Sequence, residues 1–354
     1  IGIKDNVVIY DMNKSVLLIY TGGTIGMKQD PLTQVLQPFD FEHIMREVPE
    51  LKKFGCKIDS YAFSPVIDSS NVVIEFWVEL AQLIENKYEQ YDGFVILHGT
   101  DTMAYSASML SFMLRNLEKP IVFTGSQLPI GMLRTDGKEN LISAIEIAST
   151  YDENNHAMVP EVSVFFQNRL YRGNRCTKYN ADAFEAFRSP NFPPLAEAGI
   201  TIKYNKKDII YPKKYGQKLE IFTKVDRNVA VLKIFPGIRK EYVRAVFNTK
   251  DIRAVVIETF GSGNAPSKSW FMEEIEKASK KGIIILNITQ CLAGSVNMSA
   301  YATGQSLKES GVVSGLDSTT EAAITKLFHI LGNESKNDII RGLLSKNLCG
   351  EITI

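Results

Sequence analysis

Short apolar runs at residues 16–20, 94–97, 121–123 and 162–166 alternate with segments of helical period at 72–88, 106–115 and 140–150. Runs that lack polar alternation read as strands buried on both faces, and their alternation with helices is the mark of βαβ units around a mostly parallel sheet. The pattern decays after Pro193-Pro194, and residues 204–226 are polar and rich in lysine and tyrosine without a clean period. A second series then opens, with strands expected at 229–235, 254–260 and 283–288 and helices at 240–248, 267–281 and 318–331. The expected organisation is an N-terminal α/β domain over 1–205, a linker over 206–226 and a smaller C-terminal α/β domain over 227–354.

The pattern is sharpest at residues 93–105, GFVILHGTDTMAY, where a strand ends and helical residues begin. Ligands of open α/β sheets bind in the crevice beyond the carboxyl ends of the strands, which makes Thr100 and Asp101 candidates for chemistry. A hydroxyl beside a carboxylate relays protons when a third group sets the carboxylate's state. The alternative is that Thr100, Asp101 and Thr102 only cap the following helix.

Composition narrows the field. The chain has 354 residues, 45% of them hydrophobic, and 40 basic residues balance 40 acidic ones. No field of one sign exists to attract nucleic acid or a membrane surface, so a small neutral or zwitterionic partner is expected. Cys56, Cys176, Cys291 and Cys349 are far apart and form no CxxC pair, which points away from zinc and from a disulfide framework. No metal or cofactor is expected. The run at 16–20 is too short to span a membrane and leads straight into Thr21 without a small-residue cleavage site, so a cytoplasmic chain is expected. The chain has four histidines, with neither a GxSxG elbow nor an HExxH motif, so the Ser/His/Asp and zinc hydrolase readings lack their parts. His98 itself reads as a strand-end residue with satisfied hydrogen bonds or as a base.

Four other stretches stand out. TGGTIG at 21–26 follows the first strand; paired glycines allow a sharp turn and a close backbone approach, with a threonine on either side, although geometry alone would also select such a turn. DSSN at 68–71 sets four polar residues ahead of a helix expected near Val72, as caps or as a grip for a substrate carboxylate. In the basic loop YRGNRCTK at 171–178, Lys178 is either a proton shuttle or part of a solvated surface. GSGNAP at 261–266 reads as a ligand-facing turn of the second domain, with Pro266 where a GxGxxG motif needs glycine.

Taken together, TGGTIG (21–26), DSSN (68–71), HGTDTM (98–103), TGSQLP (124–129), RGNRCTK (172–178), TFGSGNAP (259–266), NITQCLAG (287–294) and EAAITKL (321–327) resemble the bacterial L-asparaginase family, closest to its cytoplasmic type I branch. The resemblance covers nearly the whole chain. It implies two three-layer α/β domains, the larger N-terminal one with a flavodoxin-like, mostly parallel sheet, the smaller with a parallel sheet. It also implies hydrolysis of L-asparagine to L-aspartate and ammonia.

Thr24 matches the nucleophile that forms a β-aspartyl ester, and Thr100, Asp101 and Lys178 match the group that shuttles the proton and handles the water step. Asp68 and Ser69 match the grip on the substrate's α-amino and α-carboxylate groups, with Gly99 beside them. Asn264 is expected to complete a neighbouring subunit's site, so that a homodimer or homotetramer is the active unit. Thr177 and Cys291 stand where cytoplasmic members hold an allosteric asparagine; a buried apolar thiol is the alternative for Cys291. One departure is plain: many members carry a tyrosine in the loop after TGGT, yet residues 22–60 contain none. Thr33, or a tyrosine from elsewhere, is expected to take its place.

Overall fold

The computed structural model describes residues 14–29, 36–37, 41–299 and 302–354. The chain divides into two compact units, Ile1–Ser189 with Pro193–Ile221, and Pro190–Phe192 with Phe222–Ile354.

The first unit is built on one eight-stranded sheet: β1 (Ser15–Tyr20), β2 (Lys57–Ala62), β3 (Gly93–Leu97), β4 (Ile121–Thr124), β5 (Val162–Phe166), β6 (Arg169–Arg172), β7 (Ala196–Ala198) and β8 (Ile202–Tyr204). Its order is β8-β7-β6-β5-β4-β3-β1-β2. The five strands β2-β1-β3-β4-β5 run parallel, and β6, β7 and β8 extend the sheet antiparallel. The order 2-1-3-4-5 is the flavodoxin-like one, whose switch point lies between β1 and β3. The register matters here: Tyr20 pairs with Leu97, and Leu97 with Thr124, so β1, β3 and β4 end at one level. Every residue of β3, β4 and β5 is buried, as their uninterrupted apolar runs require.

Helices α1 (Phe41–Glu47), α2 (Ile74–Lys87), α3 (Met103–Met113) and α4 (Gly137–Ser149) connect these strands. The first turn of α2 falls at Ile74 because residues 69–71 are used in a separate 3-10 turn. Strand β2 escapes hydrophobic patterning because it is an exposed edge strand with the polar sequence KIDSYA.

The second unit carries the parallel sheet β9 (Val229–Lys233), β10 (Ala254–Thr259), β11 (Ile284–Thr289) and β12 (Val313–Ser314). Alternate side chains of its strands feed two cores. Val255, Ile257 and Ile285 pack with α5 (Lys240–Phe247) and α6 (Ser269–Lys280), whereas Ala254, Val256, Ile284 and Leu286 pack with α8 (Thr320–Asn333) and α9 (Asn337–Leu344). The short helix α7 (Ala302–Glu309) and α9 are additions to the elements expected from periodicity.

Candidate active site

Three turns leave the aligned ends of β1, β3 and β4. The first is fixed by glycine: Gly23 has φ 89°, and a Cβ there would stand 2.5 Å from the amide nitrogen of Gly99. At Gly22 a Cβ would lie 2.0 Å from the carbonyl oxygen of Ile67. The two threonines of this turn have different fates. Thr21 donates both its amide and its hydroxyl to the Leu97 carbonyl, each at 3.0 Å, and so stitches β1 to β3. Thr24 opens a 3-10 turn over Thr24–Gly26, half-buried, and its hydroxyl makes no hydrogen bond among the described residues.

Thr33 lies outside the described residues. A tyrosine does reach this turn, from β1 itself: the Tyr20 hydroxyl donates to the Gly23 carbonyl at 3.1 Å, and burial pushes its phenol up to about 12. The hydroxyl therefore stays protonated and keeps donating to the peptide carbonyl just ahead of Thr24.

The second turn holds Thr100 and Asp101. Capping does not account for them: α3 begins at Met103 with Thr102 as N-cap and no side-chain cap bond. The Thr102 hydroxyl instead donates to the Ser69 carbonyl at 2.6 Å. Lys178 Nζ donates to Thr100 Oγ1 at 2.9 Å and to Asp101 Oδ1 at 2.6 Å. Lysine, hydroxyl and carboxylate are thus joined across 77 positions of sequence.

Lys178 is delivered by a loop that is not a solvated basic surface. Residues 171–176 are all buried. Arg172 is clamped between the Glu161 carboxylate, at 2.6 and 3.1 Å, and the Asp208 carbonyl, at 2.6 Å. A two-residue strand, Thr177–Lys178, then pairs antiparallel with Phe187–Arg188.

Around this group, Ser69 is buried, and a Cβ on Gly99 would meet its hydroxyl oxygen at 2.5 Å. Only glycine at 99 lets Ser69 and the turn of Gly23 close on the same point. Asp68 is exposed and caps the 3-10 turn, accepting from the amide and the hydroxyl of Ser70, both at 2.9 Å. The backbone bond from Ser70, followed by the hydroxyl, holds its carboxyl below the usual range. Asp68 thus caps the 3-10 turn at residues 69–71 and not the helix expected near Val72.

The third turn, TGSQLP at 124–129, holds none of the expected site residues. The Asp136 carboxylate gathers the amides of Gln127, at 3.0 Å, and Leu128, at 3.2 Å, and Gln127 Oε1 accepts from the Thr100 hydroxyl at 3.4 Å. Burial outweighs these bonds and raises the Asp136 carboxyl. An aspartate nine residues downstream of the amide it serves carries no local signal.

Asn264 and Cys291 belong to the second unit. Asn264 pairs through its backbone with Phe260 and accepts from the Thr303 hydroxyl at 3.2 Å. Cys291 is exposed at the end of β11, its amide held by the Thr289 hydroxyl, which overturns the reading of a buried apolar thiol. Thr177, in the first unit, is half-buried in its short strand. Among the described residues no cluster of three His, Cys, Asp or Glu could hold a metal ion, and no helix is long and apolar enough to cross a membrane.

Residues 15–210 match the asparaginase N-terminal domain and residues 228–344 the glutaminase/asparaginase C-terminal domain. The chain belongs to the asparaginase family. It is 44% identical over 349 residues to L-asparaginase 1 of Escherichia coli (strain K12), covering 96% of this chain and 98% of that protein. A similar stretch, 41% identical, makes up 63% of the mouse 60 kDa lysophospholipase. In structure it is similar to L-asparaginase I from Vibrio cholerae, with a TM-score of 0.87, 39% identity, and coverage of 97% of this chain and 100% of that one. In this member of the asparaginase family Lys178, Thr100 and Asp101 meet beyond the end of β3, where Gly99 packs between Ser69 and the turn of Gly23.

His98 sits beneath that point, 1% exposed, its ring between Phe76 and Phe123. Burial lowers its pKa from 6.5 to about 4, against an opposing pull from the Gly99 carbonyl. An unfolded chain takes up this proton near pH 6.5 and the folded chain only near pH 4, so between these values the unfolded state binds more protons. This contribution to stability is full above pH 6.5 and is lost as pH falls to 4, amounting to about 3 kcal/mol. Denaturant titrations of the parent and of His98→Asn at both ends of the window should show the parent losing about 3 kcal/mol more than the variant. A constant difference between them would contradict it.

Proposed function

We propose that this chain is an L-asparaginase that hydrolyses L-asparagine to L-aspartate and ammonia through a threonine nucleophile. The observation that carries the reading is the hydrogen-bonded group Lys178–Thr100–Asp101 at the sheet's switch point, with Thr24 presented on the adjoining turn. Full-length similarity to proteins named L-asparaginase supports it.

Thr24 Oγ bonds to the side-chain amide carbon while its proton is taken by the neighbouring relay. The carbon–nitrogen bond breaks as the nitrogen accepts a proton and leaves as ammonia, and a β-aspartyl ester remains. Water adds to that ester; its proton returns to Thr24 Oγ as the ester bond opens, and aspartate is released. Lys178, donating to Thr100 Oγ1, refills the threonine's proton as it is handed on, and Asp101 holds the ammonium in place. Ser69 and Asp68 grip the α-carboxylate and α-amino groups beside Gly99. The same proposal includes a cytoplasmic homodimer or homotetramer in which Asn264 of one copy completes the site of another.

The test is ammonia release from asparagine and from glutamine over a range of concentrations. Release from asparagine at the higher kcat/KM is the expected result, and comparable rates on both amides would replace the reading with a broader amidase. No release from either would sink it.

A further inference from the structure

Beneath the site runs a hydrogen-bonded chain whose direction is forced from both ends. Trp77 Nε1, on α2, lies 2.9 Å from Ser106 Oγ, on α3; Ser106 Oγ lies 2.9 Å from His98 Nε2; and His98 Nδ1 lies 2.7 Å from the Gly99 carbonyl. An indole N–H only donates and a carbonyl oxygen only accepts. Ser106 must therefore accept from Trp77, and Nδ1 must carry a proton and give it to Gly99; with the ring neutral, Ser106 then spends its own proton on Nε2. The three side chains are 6% exposed or less, so no solvent competes for these bonds.

The Gly99 carbonyl and the Thr100 N–H belong to one planar peptide, so fixing the direction of one fixes the other, on the opposite side. That N–H makes no hydrogen bond among the described residues, although it stands between Gly99, packed on Ser69 and Gly23, and the Thr100 hydroxyl held by Lys178. A preorganised backbone donor beside a nucleophile stabilises the oxyanion of a tetrahedral intermediate.

We infer that His98 is a positioning residue: as a neutral ring protonated on Nδ1 and locked by Ser106 and Trp77, it aims the Gly99–Thr100 peptide so that its N–H faces the reacting carbonyl oxygen. The inference rests on the asparaginase reading for its chemistry but not for the state of the ring. A ring that turned, or that carried its proton on Nε2, would set a lone pair against the Gly99 carbonyl and release the peptide. A general base would need the opposite environment, an open nitrogen facing the substrate, and both nitrogens here are engaged.

Two readouts test it. In protein labelled with nitrogen-15 histidine, long-range proton–nitrogen spectra at pH 7 should show His98, identified among four histidines by its loss in His98→Asn, as neutral and protonated on Nδ1. A charged ring, or a proton on Nε2, would overturn the proposal whatever the activity. In kinetics, His98→Leu should lower kcat for asparagine by roughly 10²-fold with KM within about threefold, as expected for a lost oxyanion donor. His98→Asn, whose amide N–H falls near the position of Nδ1, should recover most of that loss. Equal losses in the two variants, or a rise in KM at constant kcat, would show packing and not aim. If His98→Leu fails to fold, Ser106→Ala decides: it should move the proton off Nδ1 in part and lower kcat by about tenfold, and an unchanged spectrum and kcat would refute the lock. A parent that releases no ammonia would remove the asparaginase reading, while its spectrum still settles the ring.

Discussion

Thr24→Ala should lower ammonia release from asparagine by roughly 10⁴-fold or more while leaving the fold intact. The expectation is specific because the turn separates the two threonines. Removing the Thr24 hydroxyl breaks no hydrogen bond among the described residues, and the backbone of the turn is set by Gly22, Gly23 and the Tyr20 hydroxyl. Stability should change by less than about 1 kcal/mol. Thr21→Ala is the counterpart: it cuts the hydroxyl bond to the Leu97 carbonyl but keeps the amide bond, so it should cost about 1 kcal/mol of stability and much less turnover. Steady-state rates with denaturant titrations on both variants check the pair. Turnover that survives in Thr24→Ala and disappears in Thr21→Ala would reverse the roles and sink the mechanism.

What the sequence disclosed, and what it hid, follows from how each residue is satisfied. The central strands were legible because burial on both faces forces an unbroken apolar run, and the turns at their ends because Gly22-Gly23 and Gly99 have no substitute at such close approach. Strand β2 was not, since an edge strand facing water needs no apolar pattern. The antiparallel strands β6, β7 and β8 were not legible because RLYR, AEA and IKY are short and broken by charged residues, so none forms an apolar run. The basic loop at 171–178 carries no sequence sign of burial, and only the fold shows Arg172 closed against Glu161. Most obscure was the chain from Trp77 through Ser106 to His98. Each of these residues passes for ordinary core or capping, and their relation exists only once α2, α3 and β3 are packed.

Lys178→Met should reduce kcat by roughly 10³-fold, within the range that a positioned proton-transfer group contributes. Among the described residues the ammonium is the one side-chain link between Thr100 and Asp101, so its loss leaves the hydroxyl without that source of protons and the carboxylate without its ion-pair partner. Asp101→Asn should fall in the same direction by a smaller factor, because the lysine keeps Thr100 but loses its anchor. Neither change should matter much to stability: the Asp101 side chain is 62% exposed, and ion pairs so open to water contribute little to folding. Lys178→Arg should not restore turnover, since a planar guanidinium does not reproduce a point donor held 2.9 Å from Thr100 Oγ1 and 2.6 Å from Asp101 Oδ1, and it does not give up its proton. Thermal melts alongside kcat distinguish the readings. Variants that melt at the parent's temperature and turn over slowly place Lys178 and Asp101 in the chemistry. An Asp101→Asn variant that unfolds early yet keeps its specific rate would assign the pair to the scaffold, and the proton would then have to reach Thr100 by another route, of which Gln127, at 3.4 Å, is the only other side-chain partner of that hydroxyl among the described residues.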